Sequence, residues 1–193
     1  MPELPEVETV VRQLAPAVAG RRIVRLVILD DRLSGLDAAA LERGRVVGVR
    51  RVGKQVVLDV ARPRARRAAL QLAVHLRMTG RLILCDERPA AKRHLRAYLE
   101  LDRGGVALVD ARRFGTLRLL AAPDGARSPG LDPLSTDHTA GRLAELIGGA
   151  RTPLKPWLLR QDRLTGVGNI YASEICHRAG LDPRAPAGAL EPR

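Results

Sequence analysis

Eight short apolar runs separated by turn residues occupy much of the first 120 residues of the chain. They lie at residues 22–29, 45–51, 55–61, 69–75, 81–84, 95–101, 106–110 and 116–120. Gly53 and Lys54 separate the second run from the third, and Asp-Arg-Gly-Gly at residues 102–105 separates the sixth from the seventh. Short runs joined by such turns are typical of β-hairpins. The pattern therefore predicts an antiparallel β-sandwich or barrel.

A helix is predicted ahead of these strands, over residues 5–15. Its apolar residues follow the i, i+3, i+4, i+7 spacing of one helical face. They are Val7, Val10, Val11 and Leu14. Pro16 is expected to bend or stop this helix, because proline lacks the N–H that the helix interior uses. The apolar face is expected to pack against the sheets.

The pattern changes at residues 121–130, which hold two prolines and two glycines. This stretch is predicted to link an N-terminal domain, residues 1–120, to a second domain, residues 131–193. Helical periodicity in the second domain lies at residues 136–147, 152–159 and 169–179. The expected fold class is therefore α+β, with an antiparallel β-sandwich and a leading α-helix followed by an all-α domain.

The charge balance is strongly basic. Lys and Arg number 33 against 21 Asp and Glu, which gives a formal net charge of +12 and a pI of about 11.2. Such a balance indicates a polyanionic partner, nucleic acid before membrane surface. A genome that encodes arginine freely is the alternative explanation. Aromatic residues make up 2% of the chain, which argues against single-strand binding through base stacking.

Cysteine and histidine give no metal-binding pattern. Cys85 and Cys176 form no CxxC pair, and the histidines do not cluster with acids or cysteines in the sequence. We therefore expect no metal among these residues and no disulfide framework. The sequence begins without a signal peptide pattern and contains no long apolar run, so a cytoplasmic, nucleoid-associated protein is expected.

The first six residues, Met-Pro-Glu-Leu-Pro-Glu, offer a nucleophile. Methionine is normally removed before a small residue, and removal of Met1 would make the ring nitrogen of Pro2 a free secondary amine. An α-amino group titrates near neutrality, so part of it is unprotonated and nucleophilic at pH 7. Its attack on a sugar aldehyde carbon gives a cationic iminium, and Glu3 beside it can act as an acid. The alternative is a frayed terminus without function.

Six stretches of the chain, in order, resemble the bacterial formamidopyrimidine-DNA glycosylases. They are MPELPEVET at residues 1–9, RRVGK at 50–54, HLRMTG at 75–80, DARRFG at 110–115, KPWLL at 155–159 and GVGNIYASE at 166–174. The resemblance covers essentially the whole chain, and its first and last stretches are the most specific. It implies that the helical domain is a helix-two-turn-helix DNA-binding domain.

The resemblance also implies an activity. The family repairs double-stranded DNA that contains oxidised purines such as 8-oxoguanine and formamidopyrimidine, as a monomeric glycosylase and apurinic-site lyase that uses an N-terminal proline Schiff base. Pro2 would be the nucleophile at C1′, Glu3 the acid, and Lys54 a proton shuttle in β-elimination. On spacing alone, Lys54 would be a solvated turn lysine and Glu3 a residue that favours the helix dipole.

Contacts with DNA follow from the same resemblance. The residues expected to bind DNA are His94, Arg112, Arg151, Lys155 and Asn169. Met78, Arg112 and Phe114 are expected to fill the hole that a flipped-out base leaves in the duplex. A place in the protein core is the alternative for Met78, and a weaker one for Phe114. An ordinary glycine turn with an Asn N-cap is the alternative at residues 166–169.

The sequence departs from the family at two places. Family members continue into a zinc finger with four cysteines in two CxxC pairs, which this sequence lacks. We therefore expect a truncated chain with an incomplete helical domain and no cofactor of its own. The family more often has two histidines where His94, Leu95 and Arg96 stand.

Two other functions stay open. One is an endonuclease VIII-type glycosylase for oxidised pyrimidines, a branch that more often has glycine where Leu4 stands and lacks the Met/Arg/Phe set. The other is a DNA-binding remnant without activity.

Overall fold

The computed structural model describes residues 1–65, 67–89, 93–122 and 125–190. The chain forms two compact units, Met1–Arg127 and Ser128–Arg193. Their division falls inside the predicted linker, residues 121–130. Residues 123 and 124 of that linker, and residues 191–193 of the predicted second domain, lie outside the described residues. No helix in the described part of the chain is long and apolar enough to cross a membrane.

The first unit consists of a leading helix and two antiparallel sheets. The helix, α1, spans Leu4–Val18. The strands are β1 Ile23–Ile28, β2 Arg45–Val52, β3 Gln55–Ala61, β4 Ala68–His75, β5 Arg81–Cys85, β6 Leu95–Leu101, β7 Gly105–Val109 and β8 Thr116–Ala121. One sheet has the order β1-β6-β7-β5 and the other β2-β3-β4-β8. The predicted sandwich is confirmed, and every predicted strand end lies within one residue of the observed end.

Apolar side chains of α1 and both sheets form one buried cluster. The helix contributes Val7, Val11, Leu14 and Val18, at the spacing of one face, and it packs on β2 and β3. Full burial of a Val or Leu side chain contributes roughly 1.5–3 kcal/mol. This packing fixes the start of α1, and with it the first residues of the chain, against the end of the second sheet.

The helix does not stop at Pro16, which was one of the two effects expected of this proline. It continues to Val18, and the N–H of Ala19 donates to the carbonyl of Ala15 at 3.0 Å. Proline removes only the bond to the carbonyl four residues earlier. Because Pro16 lies in the last turn, few backbone hydrogen bonds of the helix follow it.

The second unit contains three α-helices among its described residues. They are α2 Ala140–Ile147, α3 Leu154–Leu158 and α4 Asn169–Ala179. The prediction that a helix starts at residue 136 was wrong, because Thr139 is the N-cap and its Oγ1 accepts from the N–H of Arg142 at 3.1 Å. The third predicted helix is confirmed, and Gly180 ends it in a left-handed conformation with φ +64°. Trp157, 2% exposed, lies at the centre of this unit's own apolar cluster.

Short 3-10 helices complete the described secondary structure. They are Asp31–Leu33, Ala38–Leu41 and Ala187–Ala189. The first of these begins directly after Asp30, whose carboxylate accepts from the N–H of Arg32 at 3.1 Å. Asp30 is 4% exposed. A buried carboxylate therefore lies two residues after the end of β1.

Candidate active site

Several of the predicted site residues lie at one end of the β2-β3-β4-β8 sheet. Lys54 forms the turn between β2 and β3, and the next residue, Gln55, pairs with His75 at the end of β4. His75 also pairs with Thr116 at the start of β8. The loops after β4 and before β8 therefore leave the sheet at the same end as Lys54.

The chain start is held at the same place by α1. Glu3 is the N-cap of the helix, and its N–H donates to the Glu6 carboxylate at 2.9 Å. The side chain of Glu3 is buried, with 1% of its residue surface exposed, whereas Pro2 is half-buried. A carboxyl group is seldom fully buried in a protein without a reason in its surroundings. Because Glu3 directly follows Pro2 in the chain, an acid lies next to the proposed nucleophile.

An arginine ties the helix to the Lys54 turn. Arg51 Nε donates to Glu8 in the helix at 3.0 Å, and Arg51 Nη1 donates to the carbonyl of Gly53 at 3.3 Å. The Arg51 side chain is 5% exposed. Burial works against ionisation of Glu8, yet the hydrogen bonds from Arg12 and Arg51 hold its pKa below the ordinary value. The ion pair therefore fixes the N-terminal turn of α1 relative to Lys54.

Electrostatics links three of these side chains. Burial lowers the pKa of Lys54 below its ordinary value, and the nearby negative charge of Glu3 opposes that shift. Burial also lowers the pKa of His75 to about 4, helped by the positive charges of Arg77 and Lys54. His75 Nδ1 accepts from the N–H of Arg77 at 3.1 Å, so the neutral ring carries its proton on Nε2. Glu3, Lys54 and His75 thus share one electrostatic environment.

A buried carboxylate, Asp110, joins the two loops that carry Met78 and Phe114. It is 1% exposed and accepts from the hydroxyl of Thr79. It also accepts from the N–H groups of Arg112, Phe114 and Gly115, at 3.1, 2.8 and 2.7 Å. Burial opposes its ionisation, but these hydrogen bonds keep its pKa below the ordinary value. One carboxylate therefore sets the conformation of both loops.

A second set of charges holds the loop from the other side. Arg113 has a left-handed backbone, φ +59°, and donates to Asp30 at 2.8 and 2.6 Å and also to Asp31. Hydrogen bonds from Arg113 are the main reason that the pKa of Asp30 lies well below its ordinary range, against the effect of burial. Arg96 Nε donates to the carbonyl of Asp110 at 2.7 Å. The backbone carbonyl of His94, a residue that also has a left-handed backbone, accepts from the Asp110 N–H at 2.9 Å.

The three predicted gap-filling side chains reach solvent. Met78 and Phe114 are 43% and 45% exposed, and Arg112 is exposed as well. The guanidinium of Arg112 lies over the Phe114 ring, 4.8 Å from its centroid. The alternative that Met78 or Phe114 packs in the core is therefore wrong. Exposed apolar side chains on a rigidly held loop are suited to insertion between bases.

In the second unit, hydrogen bonds bring Lys155 and Asn169 together through Ser173. Lys155 Nζ donates to the Ser173 hydroxyl at 2.9 Å, and that hydroxyl donates to the carbonyl of Asn169 at 2.9 Å. Asn169 is exposed as the first residue of α4. Arg151 is exposed in the loop before α3, and the described contacts do not join it to this group. The lysine amine and the N-terminus of α4 together are suited to contact with one phosphate group.

The turn before Asn169 is held by a glutamine. Gln161 accepts from the N–H of Gly166 at 3.0 Å and donates to the carbonyls of Leu159 and Val167 at 2.9 and 2.8 Å. Gly166 has φ +89°, a conformation that favours glycine. The Asn169 side chain is not the cap of α4, because Gly168 occupies the N-cap position. The alternative of a plain Asn N-cap is therefore wrong.

Sequence reasoning missed the residues that hold this site together. Asp110, Asp30 and Arg51 were not singled out, nor was Gln161. A weak indication existed for Asp110, because an aspartate that leads into a tight loop often accepts backbone N–H groups. For Asp30 and Arg51 the partners lie 83 and 43 residues away. Such distant pairs give no local pattern.

No metal-binding cluster is formed by the described residues. They contain no group of three or more His, Cys, Asp or Glu side chains that could hold an ion. Cys85 ends β5 in the first unit and Cys176 lies in α4 of the second. The described residues thus offer no ligand set that fits the zinc ion of the resembled family.

Two family models match the chain. One is described as the formamidopyrimidine-DNA glycosylase N-terminal domain and matches residues 1–117. The other is described as the formamidopyrimidine-DNA glycosylase H2TH domain and matches residues 130–193.

Individual relatives carry the same name. The formamidopyrimidine-DNA glycosylase of Symbiobacterium thermophilum is 40% identical over 203 residues, a match that covers 100% of this chain and 64% of the relative. That of Chloroflexus aurantiacus is 38% identical and covers 100% of this chain and 70% of the relative. A solved complex of a mutant Lactococcus lactis protein with Fapy-dG containing DNA superposes with a TM-score of 0.86 at 27% identity, over 98% of this chain and 71% of that one.

Proposed function

Because the chain belongs to the formamidopyrimidine-DNA glycosylase family, we propose that it is a base-excision repair enzyme for oxidised purines in double-stranded DNA. We further propose that it cleaves the strand through a Schiff base on Pro2. The observation that carries this proposal is the buried carboxyl of Glu3, held behind Pro2 by α1 and electrostatically coupled to Lys54. The lyase activity and the roles of individual residues are inferred from the chemistry of these side chains and from their positions.

The reaction starts when the lone pair of the Pro2 nitrogen forms a bond to C1′ of the damaged nucleotide. The glycosidic bond breaks, and its electron pair leaves with the base. Opening of the sugar ring then gives the iminium ion between C1′ and the proline nitrogen. The proton lost from the proline nitrogen and the proton of Glu3 together neutralise the departing base and the ring oxygen. General acid catalysis of this kind contributes about 10²- to 10⁴-fold.

Elimination follows from the iminium. Loss of a C2′ proton gives an enamine, whose electrons expel the 3′ phosphate and leave a conjugated iminium. Water hydrolyses that iminium, which releases an unsaturated aldehyde and regenerates the Pro2 amine. Lys54 is suited to carry the proton because burial lowers its pKa and raises the fraction that is neutral.

Access to the damaged nucleotide requires that it leave the duplex. Extrusion costs a few kcal/mol of stacking and pairing. Met78 and Phe114 are exposed on loops that Asp110 holds rigidly, so their insertion costs little ordering of the protein. Arg112, stacked on Phe114, offers hydrogen bonds to the base left without a partner. Asn169 and Lys155 of the second unit bind the phosphate backbone.

The test is borohydride trapping with the full chain and a duplex that holds 8-oxoguanine opposite cytosine. Borohydride reduces the iminium, so we expect a covalent adduct whose DNA maps to Pro2 in peptide mass spectra. Pro2→Gly should weaken trapping, and a preparation that retains Met1 should not trap at all. The matched control is Pro16→Ala, a proline at the other end of α1, which should trap as the wild type does. An adduct on Lys54 would overturn the assignment.

A further inference from the structure

Backbone conformation singles out a group of basic residues. Within the described residues, every non-glycine residue with positive φ is an arginine or a histidine. They are Arg43, Arg64, Arg77, His94 and Arg113, with φ between +54° and +68°. Asn, Asp and Gly are the usual occupants of such positions, and a long side chain there is less favourable. Three of the five, Arg77, His94 and Arg113, lie in the loops of the candidate active site.

The other two, Arg43 and Arg64, lie at the opposite end of the same sheet. Arg43 comes two residues before β2, and Arg64 lies in the loop between β3 and β4. Lys54, by contrast, sits where β2 ends and β3 begins. At about 3.3 Å per residue, the seven residues of β3 separate the two ends by roughly 20 Å. Neither arginine can therefore belong to the candidate active site.

Four more exposed arginines lie around these two. Arg22 pairs directly with Arg45, Arg45 with Ala61, and Ala61 with Ala68 across neighbouring strands. Strand neighbours lie about 4.8 Å apart, so the row from β1 to β4 spans roughly 15 Å. We call the exposed group the distal arginine surface. It consists of Arg22, Arg43, Arg45, Arg62, Arg64 and Arg67.

The distal arginine surface is not neutralised by the protein itself. None of its six side chains forms an ion pair or a hydrogen bond with another described residue. Some exposed arginines elsewhere are paired, as Arg12 is with Glu8 and Arg25 with Glu100, whereas these six lie together without such a partner among the described residues. Acidic residues close to this end include Asp102, whose N–H donates to the Arg22 carbonyl, and Asp59, which lines one cavity with Arg67 but pairs with Arg50. Like charges opposite each other in a sheet, such as Arg22 and Arg45, destabilise it.

Two unfavourable features thus coincide, left-handed arginines and unpaired like charges. Departures from local rules of this kind are expected where a surface has a function. We propose that the distal arginine surface binds the phosphate backbone of a second segment of double-stranded DNA while the candidate active site holds the first. The guanidinium group suits phosphate through its planar fork of donors. The loop offers only Pro63 and Ala65 between its arginines, whereas binding at a membrane surface uses large apolar side chains.

The test compares two triple variants of the full chain that lose the same charge. The first, Arg43→Asn, Arg62→Gln and Arg64→Asn, removes half of the distal arginine surface. The second, Arg25→Gln, Arg142→Gln and Arg184→Gln, removes three arginines that are paired with Glu100, Glu145 and Asp182. Binding of a labelled undamaged duplex is measured by anisotropy over a range of salt concentrations.

Each phosphate contact adds about 0.9 to the slope of log K against log salt. The first variant should therefore lose about 2 to 3 units of slope and roughly tenfold or more in affinity at low salt. The second variant should change the salt slope and the affinity much less. Equal losses in the two variants would mean that only net charge matters, and no loss in the first would mean a solvated surface. Either result overturns the proposal.

A second measurement separates this proposal from the proposed enzyme activity. Single-turnover cleavage of a short lesion duplex at saturating protein should be the same in both triple variants and the wild type. With that short duplex already bound, addition of a longer undamaged duplex should form a ternary complex with the wild type but not with the first variant. Absence of the ternary complex in the wild type overturns the second-segment proposal, whether or not cleavage occurs.

Folding of the first variant is checked by thermal melting. Asn tolerates left-handed conformations better than Arg does, so its melting temperature should equal or exceed that of the wild type. If the triple variant fails to fold, Arg64→Asn alone, in an exposed loop, should still lose about one unit of salt slope. An unchanged slope in that single variant overturns the proposal.

Discussion

The two units present their polar groups in different ways. At the sheet end of the first unit, the polar groups are buried: Glu3 and Asp110 are 1% exposed and Asp30 is 4% exposed. In the second unit, the corresponding contacts of Lys155, Ser173 and Asn169 lie on the surface. Buried charges require complete sets of partners, because an unpaired one costs several kcal/mol.

The difference indicates a division of labour. The first unit holds an acid, a lysine of lowered pKa and two loops in fixed positions, which is what chemistry at one carbon atom needs. The second unit offers a half-buried lysine, whose amine donates to an exposed serine, and an exposed helix start, which is what a flexible phosphate backbone needs. We therefore expect changes among the buried site residues of the first unit to alter rate or local stability, and changes at the phosphate contact of the second to alter affinity alone.

The largest expected effect is on the rate. Glu3→Gln removes the acid but keeps the backbone N–H that donates to Glu6, so α1 should form normally. Single-turnover release of 8-oxoguanine should slow by about 10²- to 10⁴-fold. Cleavage of a preformed apurinic site should slow less, because the base has already left. Glu145→Gln, an exposed carboxylate of the second unit, is the control, and a similar loss there would refute the division of labour.

The next effect is on stability. Asp110→Ala leaves the N–H groups of Phe114 and Gly115 without an acceptor, so the first unit should lose about 3 kcal/mol of unfolding free energy. The single Trp, Trp157, lies in the second unit, whereas the strands of both sheets lie in the first, so amide hydrogen exchange of strand peptides reports the first unit alone. Urea unfolding should therefore shift in the exchange of strand peptides but not in Trp fluorescence.

The control for that experiment is Asp162→Ala. Asp162 is exposed and pairs with Arg160 at 2.7 Å, a type of ion pair that contributes about 0–1 kcal/mol. We expect neither probe to shift noticeably. If Asp110→Ala shifts the urea midpoints of both probes together, the two units do not unfold independently. Their stabilities could then not be compared separately.

Much of the first unit could be predicted from the sequence. Every strand was located to within one residue at each end, because turn residues at short intervals leave few alternatives. The turn that carries Lys54 was also located, whereas the role of Lys54 was predicted from the family resemblance alone. The start of α2 was misplaced because Thr136 and Thr139 are both acceptable caps, and only the fold selects Thr139.

The supporting charges could not be predicted. Asp110 accepts from Thr79 across 31 residues, and Arg113 donates to Asp30 across 83. Each of these residues, taken alone, is indistinguishable from a solvated one. Their importance arises from burial, which depends on how the two sheets pack. The exposed contacts of the second unit needed no such knowledge, since adjacent helix positions already bring Ser173 to Asn169.

A smaller effect is expected on affinity in the second unit. Lys155→Ala and Asn169→Ala should each weaken binding to a lesion duplex. Only Lys155→Ala should also reduce the salt slope by about one unit, because it removes a cation, whereas Asn is uncharged. Single-turnover rates at saturating protein should not change. Ser173→Ala should weaken binding less, because it only positions Lys155. Arg178→Ala, farther along α4, is the control, and a change in saturated rate with Asn169→Ala would contradict the division.

The smallest effect is a pH dependence confined to the first unit. The folded pKa of His75 is lowered to about 4, whereas an unfolded histidine titrates near about 6.5. Between these values the unfolded chain binds the proton more strongly, so acid favours unfolding. The stability that the neutral ring provides is fully present above pH 6.5 and is lost as the pH falls toward 4. Since His75 is only half-buried, solvent screening limits the effect to on the order of 1 kcal/mol.

His75→Gln tests this sign, because glutamine can accept from the N–H of Arg77 as Nδ1 does but does not titrate. From pH 7 to pH 5, the urea midpoint measured by amide hydrogen exchange of strand peptides should fall less in the variant than in the wild type. The Trp157 midpoint should be the same in both proteins at each pH, because Trp157 reports the other unit. His138→Gln, in the second unit, should leave the midpoint of the strand peptides unchanged at both pH values. A wild type whose first unit becomes more stable toward pH 5, relative to His75→Gln, would show that the folded ring is charged. The neighbouring charges of Lys54 and Arg77 would then have to be farther from it than the fold places them.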